Sequence, residues 1–435
     1  MKQSIYNNRI GLSEHTDVIY NSLSEEFIIV TKNLNLNEPI RSEKLWNELV
    51  SKKILVKDSI DERGIVSGTY NKAVNNNSGF KLIINPTLNC NFRCWYCYES
   101  HLADTKMDTH TISSIKNAIK ELMSIYPKFE LSFFGGEPFL EFNSIVLPLI
   151  EFVDHVSQEL GTDYIITFTT NGFLITEEIV NRLKPYKIGL SQITLDGGPE
   201  YHNVTRKNKK ANTFAMIVSN IKRLIRANMP VVLRINATKE NIRSAFEIPL
   251  YFNDLKDNEK MLLQILVQQV WQDAKNDILD SILELYEEFI KIGIAPWHRR
   301  FNYITDICYG DSAHSCVINY DGKIFKCTAL DFDKKYVESE ITADGKLNFK
   351  DSFFRKLELK KKNPNCINCR IRPICNGGCY KTVLQAKDED YCLYKTDEEK
   401  DTLIRNLVKE QLFLMKFGLS WKTNDKHKTM NPISD

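Results

Sequence analysis

From Phe80 onward, short apolar runs alternate with longer amphipathic stretches. The runs FKLIINP, FELSFFGG, DYIITFTTNG, IGLSQITLDG, VVLRINAT and MLLQILVQ are brief and rich in β-forming residues. Between and after them lie TISSIKNAIKELMSIY, FNSIVLPLIEFVDHVSQEL, ITEEIVNRLKPY, FAMIVSNIKRLIRANM, IRSAFEIPLYFNDL and ILDSILELYEEFIKIG, whose apolar residues recur at helical spacing. Strand–helix alternation calls for right-handed crossovers and a parallel sheet. Six such units are too few to close an eight-stranded barrel. The expected fold is therefore α/β, an open six-stranded (β/α)6 partial TIM barrel. In such barrels the reacting groups gather at the C-terminal ends of the strands.

The flanks read differently. In residues 1–79, DVIYNSLSEEFIIVT predicts strand, turn and strand, and SEKLWNELVSKKILVKD predicts a short amphipathic helix running into a strand. NKAVNNNSG (71–79) is polar and glycine-ended, like a linker, so residues 1–79 read as a small separate module. Residues 301–395 carry eight cysteines and turn sequences such as NYDG and CNGGC. The stretch TDEEKDTLIRNLVKEQLFLMKFG predicts a helix, and the polar tail KTNDKHKTMNPISD predicts disorder. The expected division is 1–79, 80–300, 301–395 and 396–435.

Composition narrows the function classes. The 435 residues suffice for a full enzyme core, and 43% hydrophobic with 26% charged residues is ordinary for a folded soluble protein. A net charge of +2 argues for neither nucleic acid nor an acidic membrane as a partner. No apolar run approaches the length of a membrane span, and MKQSIYNNRIGLSEH lacks the apolar core of a signal peptide. The expected compartment is the cytoplasm, where eleven cysteines, an odd number, do not form a disulfide framework. Three lie at 90–97 and eight at 308–392, with none between. Clustering of this kind points to ligand duty, since cysteines used as core hydrophobes would be scattered.

The first cluster is NPTLNCNFRCWYCYES, directly after the first predicted strand. Cys90, Cys94 and Cys97 can hold three irons of a [4Fe–4S] cube and leave the fourth open. A zinc site short of one ligand is the alternative. Three thiols with this spacing, after strand one of an α/β chain, resemble the radical SAM superfamily. The resemblance implies that S-adenosylmethionine (SAM) occupies the open iron, is cleaved reductively to a 5′-deoxyadenosyl radical, and that this radical takes a hydrogen atom from a substrate. An external electron donor, flavodoxin or ferredoxin, is implied with it.

The same resemblance assigns further positions. Backbone at Tyr96 would face adenine, although its ring could simply shield the cluster. FFGGEP, with Gly135, Gly136 and Glu137, would run along the SAM amino group; its glycines permit close backbone approach. Thr170 and Asn171 in TTNG suit a ribose, or are an ordinary strand-end turn. QITLDGGPEYHNVTR is similar to the matching stretch of sulfatase and peptide maturases, which would put Thr194 and Arg206 on SAM. Asp196 would face the substrate as the catalytic candidate, or cap its own loop. Arg234 would pair with the SAM carboxylate or form a buried salt bridge, and Gln269 would lie on the adenosine side.

The C-terminal cysteines extend the likeness. Cys366-x2-Cys369-x5-Cys375-x3-Cys379 is too compressed for two zinc knuckles, and such density suits neighbouring clusters. Together with Cys308, Cys316, Gly322, Cys327 and Cys392 the pattern resembles the SPASM extension of radical SAM maturases. By that resemblance Cys308, Cys316, Cys327 and Cys379 hold auxiliary cluster I, and Cys366, Cys369, Cys375 and Cys392 hold auxiliary cluster II. With the SAM-binding cluster this makes three [4Fe–4S] clusters and accounts for every cysteine; structural zinc is the alternative. One departure matters. Where anaerobic sulfatase maturases place an aspartate base after the cysteine matching Cys327, this chain has Thr328, and neither Asp331 nor Asp333 is at that position.

The reading is a radical SAM maturase of a ribosomally made precursor peptide, forming a carbon–carbon, ether or thioether crosslink. Residues 1–79 would be a winged-helix-like module taking the precursor's leader as an added strand, or a structural cap. Oxidation of serine or cysteine to formylglycine, and a non-catalytic multi-cluster or zinc protein, are the alternatives. Neither nucleic acid nor membrane is an expected partner.

Overall fold

The computed structural model of the chain describes residues 1–208, 212–297, 303–349, 351–386 and 391–419. The predicted tail, 422–435, and the expected boundary at 300/301 lie outside them. Among the described residues no helix is long and apolar enough to cross a membrane. The chain falls into two compact units. One comprises Met1–Asn76, Arg300–Ala313 and Asp351–Thr423; the other comprises Asn77–Arg299, His314–Lys350 and Asn424–Asp435.

The second unit is built on a mostly parallel sheet. Its six alternating strands are β1 (Phe80–Ile84), β2 (Lys128–Phe133), β3 (Asp163–Thr170), β4 (Ile188–Thr194), β5 (Val231–Ala237) and β6 (Leu263–Gln269). They pair in chain order, each parallel to the next. Helices such as Thr109–Ile125, Leu147–Leu160 and Thr213–Arg226 supply the crossovers and bury one face each. Covered by them, strands such as β2 and β5 are buried along most of their length. Four more strands bring the sheet to ten: β7 (Ala295–Pro296) beside β6, and β8 (Ser315–Ile318), β9 (Lys323–Phe325) and β10 (Ser339–Glu340) beside β1. β8 runs parallel to β1, with Cys316 opposite Leu82. This is why residues 314–350, read as part of the cysteine-rich segment, belong to the sheet's unit. IRSAFEIPLYFNDL forms not an α-helix but a 3₁₀ stretch, Ser244–Phe252, because Pro249 lacks the N–H that an α-helical turn needs.

In the first unit, strands Asn7–Gly11, Thr16–Asn21 and Glu26–Thr31 form an antiparallel meander. Helix Glu43–Ser51 follows, N-capped by Ser42, and Leu55–Val56 pairs with Lys2–Gln3. Alternation along the strands splits their side chains between two cores. Ile19, Ile28 and Val30 pack with Leu49, Ile54 and Leu55. Ile10, Val18, Tyr20 and Phe27 pack with Ile371, Ile374, Ile404 and Val408, from the cysteine-rich segment and the helix Asp397–Lys416. The N-terminal residues therefore share a core with the C-terminal region rather than standing alone. The expected linker is also shorter than its composition implied: Asn71–Val74 close the helix Glu62–Val74, with Tyr70 and Val74 buried.

This unit also buries an ion pair. Lys360 Nζ lies 2.7 Å from Asp311 Oδ2, with side chains 0% and 1% exposed, and 5.5 Å from the Tyr70 ring centroid. Removing one partner strands the other charge away from water. Lys360→Met is expected to lower stability by about 3–5 kcal/mol, whereas Asp311→Leu with Lys360→Met is expected to be neutral or stabilising. Chemical denaturation of both variants checks this; equal losses would show that packing, not charge, governs the site.

Candidate active site

The C-terminal ends of β1–β6 surround one cavity, wholly within the sheet's unit. β1 runs into the loop carrying Cys90, Cys94 and Cys97, all three of which line the cavity with Tyr96. β2 contributes Gly135 and Gly136, β3 Thr170 and Asn171, β4 Thr194, β5 Arg234 and β6 Gln269, while Arg206 enters from the segment after β4. Of the positions singled out in the sequence toward SAM, only Glu137 is not in the lining. Asp196, the catalytic candidate, is not in it either.

The glycines of GGEP act first on the protein itself. Gly135 and Gly136 have φ of +80° and +51°. A Cβ on Gly135 would lie 2.7 Å from Asn85 Cβ, and one on Gly136 would lie 2.1 Å from the Asn89 carbonyl oxygen. Lacking side chains, they let the β2 loop seat against the cysteine loop, where Glu137 N donates to Asn89 O at 2.8 Å. The Glu137 carboxylate is fully buried and spoken for. It accepts from Phe139 N at 3.0 Å, Thr170 Oγ1 at 2.7 Å and Asn171 N at 2.8 Å. It thus ties the end of β2 to the end of β3. The Thr170 hydroxyl serves that tie, and Asn171 Nδ2 reaches the cysteine loop at Asn91 Oδ1, 2.7 Å.

Asp196 holds a second buried knot. It is 0% exposed; it accepts from Tyr96 Oη and, at 3.0 Å, from Asn236 N. Arg206 Nη1 donates to Tyr96 Oη at 2.7 Å and lies 3.6 Å from Asp196 Oδ2, with its guanidinium over the Phe92 ring. Burial works against the Arg206 charge, but Tyr96, Cys94 and Asp196 outweigh it and hold the group protonated. The Asp196 carboxylate thus faces Tyr96, Arg206 and the β5 backbone and does not line the cavity. Arg234 donates through Nε to Asn236 Oδ1 at 2.7 Å and forms no carboxylate salt bridge among the described residues. Gln269 Nε2 is bound to the carbonyls of Asp273 and Asn276 at 2.8 and 2.7 Å, and the Tyr96 carbonyl accepts from Gln272 Nε2 at 3.1 Å.

Cys90, Cys94 and Cys97 form no disulfide and line one cavity. Burial pushes Cys90 up to about 12 and Cys97 up to about 11, with Cys94 adding to both. Phe92 N points at Cys90 Sγ, 3.4 Å, and His101 Nε2 lies 3.2 Å from Cys97 Sγ. In the other unit, burial pushes Cys366 up to about 12, and the nearness of Cys375, Cys369 and Cys392 opposes its ionisation further. Neutral thiols crowded together are poor anions but good ligands, since a bound cation inverts this preference. Cys308 and Cys379 belong to that unit, and Cys316 and Cys327 to the sheet's unit. Among the described residues, no three His, Cys, Asp or Glu side chains are set around a single metal ion.

Several lining residues escaped the sequence reading. Gln192 and Asn236 stand two positions from Thr194 and Arg234, so strand alternation alone puts them on the same face. Glu99, His101, Tyr98 and Trp271 had no such signal. Asp331, after the 3₁₀ turn Thr328–Leu330, accepts from Ser100 Oγ at 2.5 Å, and Asp333 caps a turn at Lys335 N, 3.1 Å; neither lines the cavity.

Residues 84–247 match the Radical SAM superfamily. The chain is 24% identical over 373 residues to the radical SAM cyclopropyl synthase TigE of Paramaledivibacter caminithermalis, covering 76% of this chain and 74% of TigE. It is 24% identical over 338 residues to a cysteine-type anaerobic sulfatase-maturating enzyme of Clostridium novyi, covering 68% and 87%. SuiB of Streptococcus suis bound to precursor peptide SuiA superposes with a TM-score of 0.52 at 14% identity, over 90% of this chain and 98% of that one, a likeness of fold.

Proposed function

The chain carries a radical SAM domain, a homologue of peptide and sulfatase maturases with a cysteine-rich C-terminus, and from that premise we propose that it is a maturase of a ribosomally made peptide. A radical SAM domain implies a [4Fe–4S] cluster and SAM, which together supply a 5′-deoxyadenosyl radical for hydrogen abstraction. The observation that carries the proposal is the convergence of three free thiols and nine SAM-facing candidates (Tyr96, Gly135, Gly136, Thr170, Asn171, Thr194, Arg206, Arg234 and Gln269) on one cavity at the strand ends.

In this reading the domain is a partial (β/α)6 barrel, and Cys90, Cys94 and Cys97 hold the SAM-binding cluster. Arg234, with guanidinium capacity beyond its Asn236 bond, orients the SAM carboxylate. Arg206, kept charged and fixed by Tyr96 and Asp196, sets the shape and positive field of the wall. Cys366, Cys369, Cys375 and Cys392, electrostatically close in one unit, hold one auxiliary cluster; Cys308, Cys316, Cys327 and Cys379 hold the other by resemblance alone. An external flavodoxin or ferredoxin supplies electrons. The N-terminal meander serves as the winged-helix-like leader site, the edge strand Glu26–Thr31 taking an added strand. Because that meander shares a core with the C-terminal helix, deleting it would damage the fold, so substitutions at the exposed edge residue Ile29 are the cleaner probe.

The product is a crosslinked peptide. Formylglycine formation is the second reading, favoured by the likeness to a sulfatase-maturating enzyme but opposed by Thr328 in place of the expected base. Anaerobic reconstitution is expected to give about 12 iron and 12 sulfide per chain. Mass spectrometry of a precursor peptide treated with this protein, SAM and reductant should show loss of two hydrogens with a crosslink. Stoichiometric zinc with little sulfide, or SAM that is never cleaved, would overturn the proposal.

A further inference from the structure

The thiols of Cys366, Cys369, Cys375 and Cys392 come from two stretches of chain. The first three share one stretch, set by local backbone bonds. Cys369 N donates to Cys366 O at 3.2 Å, Arg372 N to Cys369 O at 3.0 Å and Cys375 N to Ile371 O at 2.9 Å. Cys392 belongs to the other. Asn363, 1% exposed, reaches both. Its Oδ1 accepts from Asn365 N at 2.9 Å and so caps the helix Pro364–Ile367, which carries Cys366. Its Nδ2 donates to the carbonyl of Tyr391, the residue before Cys392, at 2.9 Å. Among the described residues this is the one hydrogen bond joining Tyr391 or Cys392 to residues 363–379. Packing falls at the same place. Gly377 and Gly378 have φ of +71° and +79°, and a Cβ on them would stand 3.1 Å from Tyr391 Oη and 2.6 Å from Leu393 Cδ1. The two neighbours of Cys392 are therefore seated on the CNGGC turn, and the Asn363 amide fastens one of them to the helix of Cys366.

We propose that Asn363 is a positioning residue for the metal centre of this unit: its amide holds Cys392 in place beside Cys366, so that the fourth thiol is set before metal binds. Three ligands on one short stretch are grouped by their own backbone. A fourth from a separate stretch must otherwise lose its freedom on binding, which weakens the site. An asparagine suits the task because one planar group both accepts and donates; a carboxylate at this position could only accept. The inference rests on the proposed function for the assignment of these four cysteines to one auxiliary cluster, and on Asn363 alone for the placement.

The test compares wild type, Asn363→Asp and Asn363→Ser as full chains after anaerobic reconstitution. Both substitutions keep a capping oxygen for Asn365 N–H and drop the amide donor to Tyr391. Aspartate keeps the length, and serine adds no charge. Each protein is exposed to iodoacetamide, and the modification rate of every cysteine is followed by peptide mass spectrometry, beside iron content and thermal unfolding. Cys392 is expected to react about tenfold faster in both variants, the effect of one lost hydrogen bond, while Cys366, Cys369 and Cys375 keep their wild-type protection. Wild-type protection of Cys392 in both variants would show that the Nδ2 bond places nothing. Faster modification of all four thiols alike would show that Asn363 supports the whole segment rather than Cys392. A change in only one variant would trace to its added charge or its shorter arm, and would overturn the proposal equally. If wild type leaves all four thiols open to modification, they hold no centre, and it is the assignment of these cysteines in the proposed function that fails.

Discussion

Replacing Cys90, Cys94 and Cys97 together with alanine is expected to abolish reductive cleavage of SAM, with the rate falling to background, while about eight of about twelve irons remain. The three thiols line one cavity, and no other cysteine lines it. Their loss therefore removes the ligands at the place where SAM would bind. Six of the remaining eight, Cys308, Cys366, Cys369, Cys375, Cys379 and Cys392, lie in the other compact unit, where the helix Asp397–Lys416 and the N-terminal meander pack on Ile371 and Ile374 in a core of their own. Alanine is smaller than cysteine and meets no packing requirement in a cavity wall, so the fold should persist. Iron and sulfide analysis beside quantification of 5′-deoxyadenosine checks both halves. Normal 5′-deoxyadenosine formation would show that the triplet is misassigned, and loss of all iron would show that the C-terminal cysteines hold none independently.

What the sequence disclosed depended on the range of the interaction responsible. The six alternating strands and most crossover helices follow from local periodicity, which a helix or strand must display to bury a face. The cysteine triplet was legible for the same reason: three ligands within eight residues are a local pattern. The pairing of β8 with β1 was not legible, since Ser315–Ile318 is four residues long and its partner lies far back in the chain. Nor was the shared core of Val18, Tyr20, Ile374 and Ile404, whose members come from opposite ends of the protein. Motif residues were found by type but not always by role. Glu137 and Asp196 belong to recognisable stretches, yet both carboxylates are consumed in fastening strand ends and neighbouring side chains. Glu99 stands two residues past Cys97 in NPTLNCNFRCWYCYES, yet its type and spacing alone do not mark it as a wall of the cavity.

The fastening role of Gly136 leads to the second large effect. Gly136→Ala is expected to deplete iron at the triplet and reduce SAM cleavage at least a hundredfold. Gly161→Ala, at an equally left-handed residue, is expected to leave both intact. The two share a backbone penalty: φ is +51° at Gly136 and +71° at Gly161, a region that disfavours a Cβ by roughly 1–2 kcal/mol. They differ in what the Cβ meets. At Gly161, the C-cap of helix Leu147–Leu160, nothing lies within 4 Å. At Gly136 the new atom would stand 2.1 Å from Asn89 O and 2.7 Å from Leu88 C, both backbone atoms that no rotamer change can move aside. The β2 loop and the cysteine loop must then separate. Separation breaks the Glu137 N to Asn89 O bond and draws Glu137 away from Thr170 and Asn171, whose side chain braces Asn91 beside Cys90. The thiols would survive chemically but lose their common placement, and multidentate binding requires that placement in advance. Thermal unfolding, iron content and 5′-deoxyadenosine yield measured on both variants separate the explanations. If the two behave alike, the clash has been relieved elsewhere and the glycine is needed only for its φ. If only Gly136→Ala fails, the close contact between the two loops is what holds the three thiols in place.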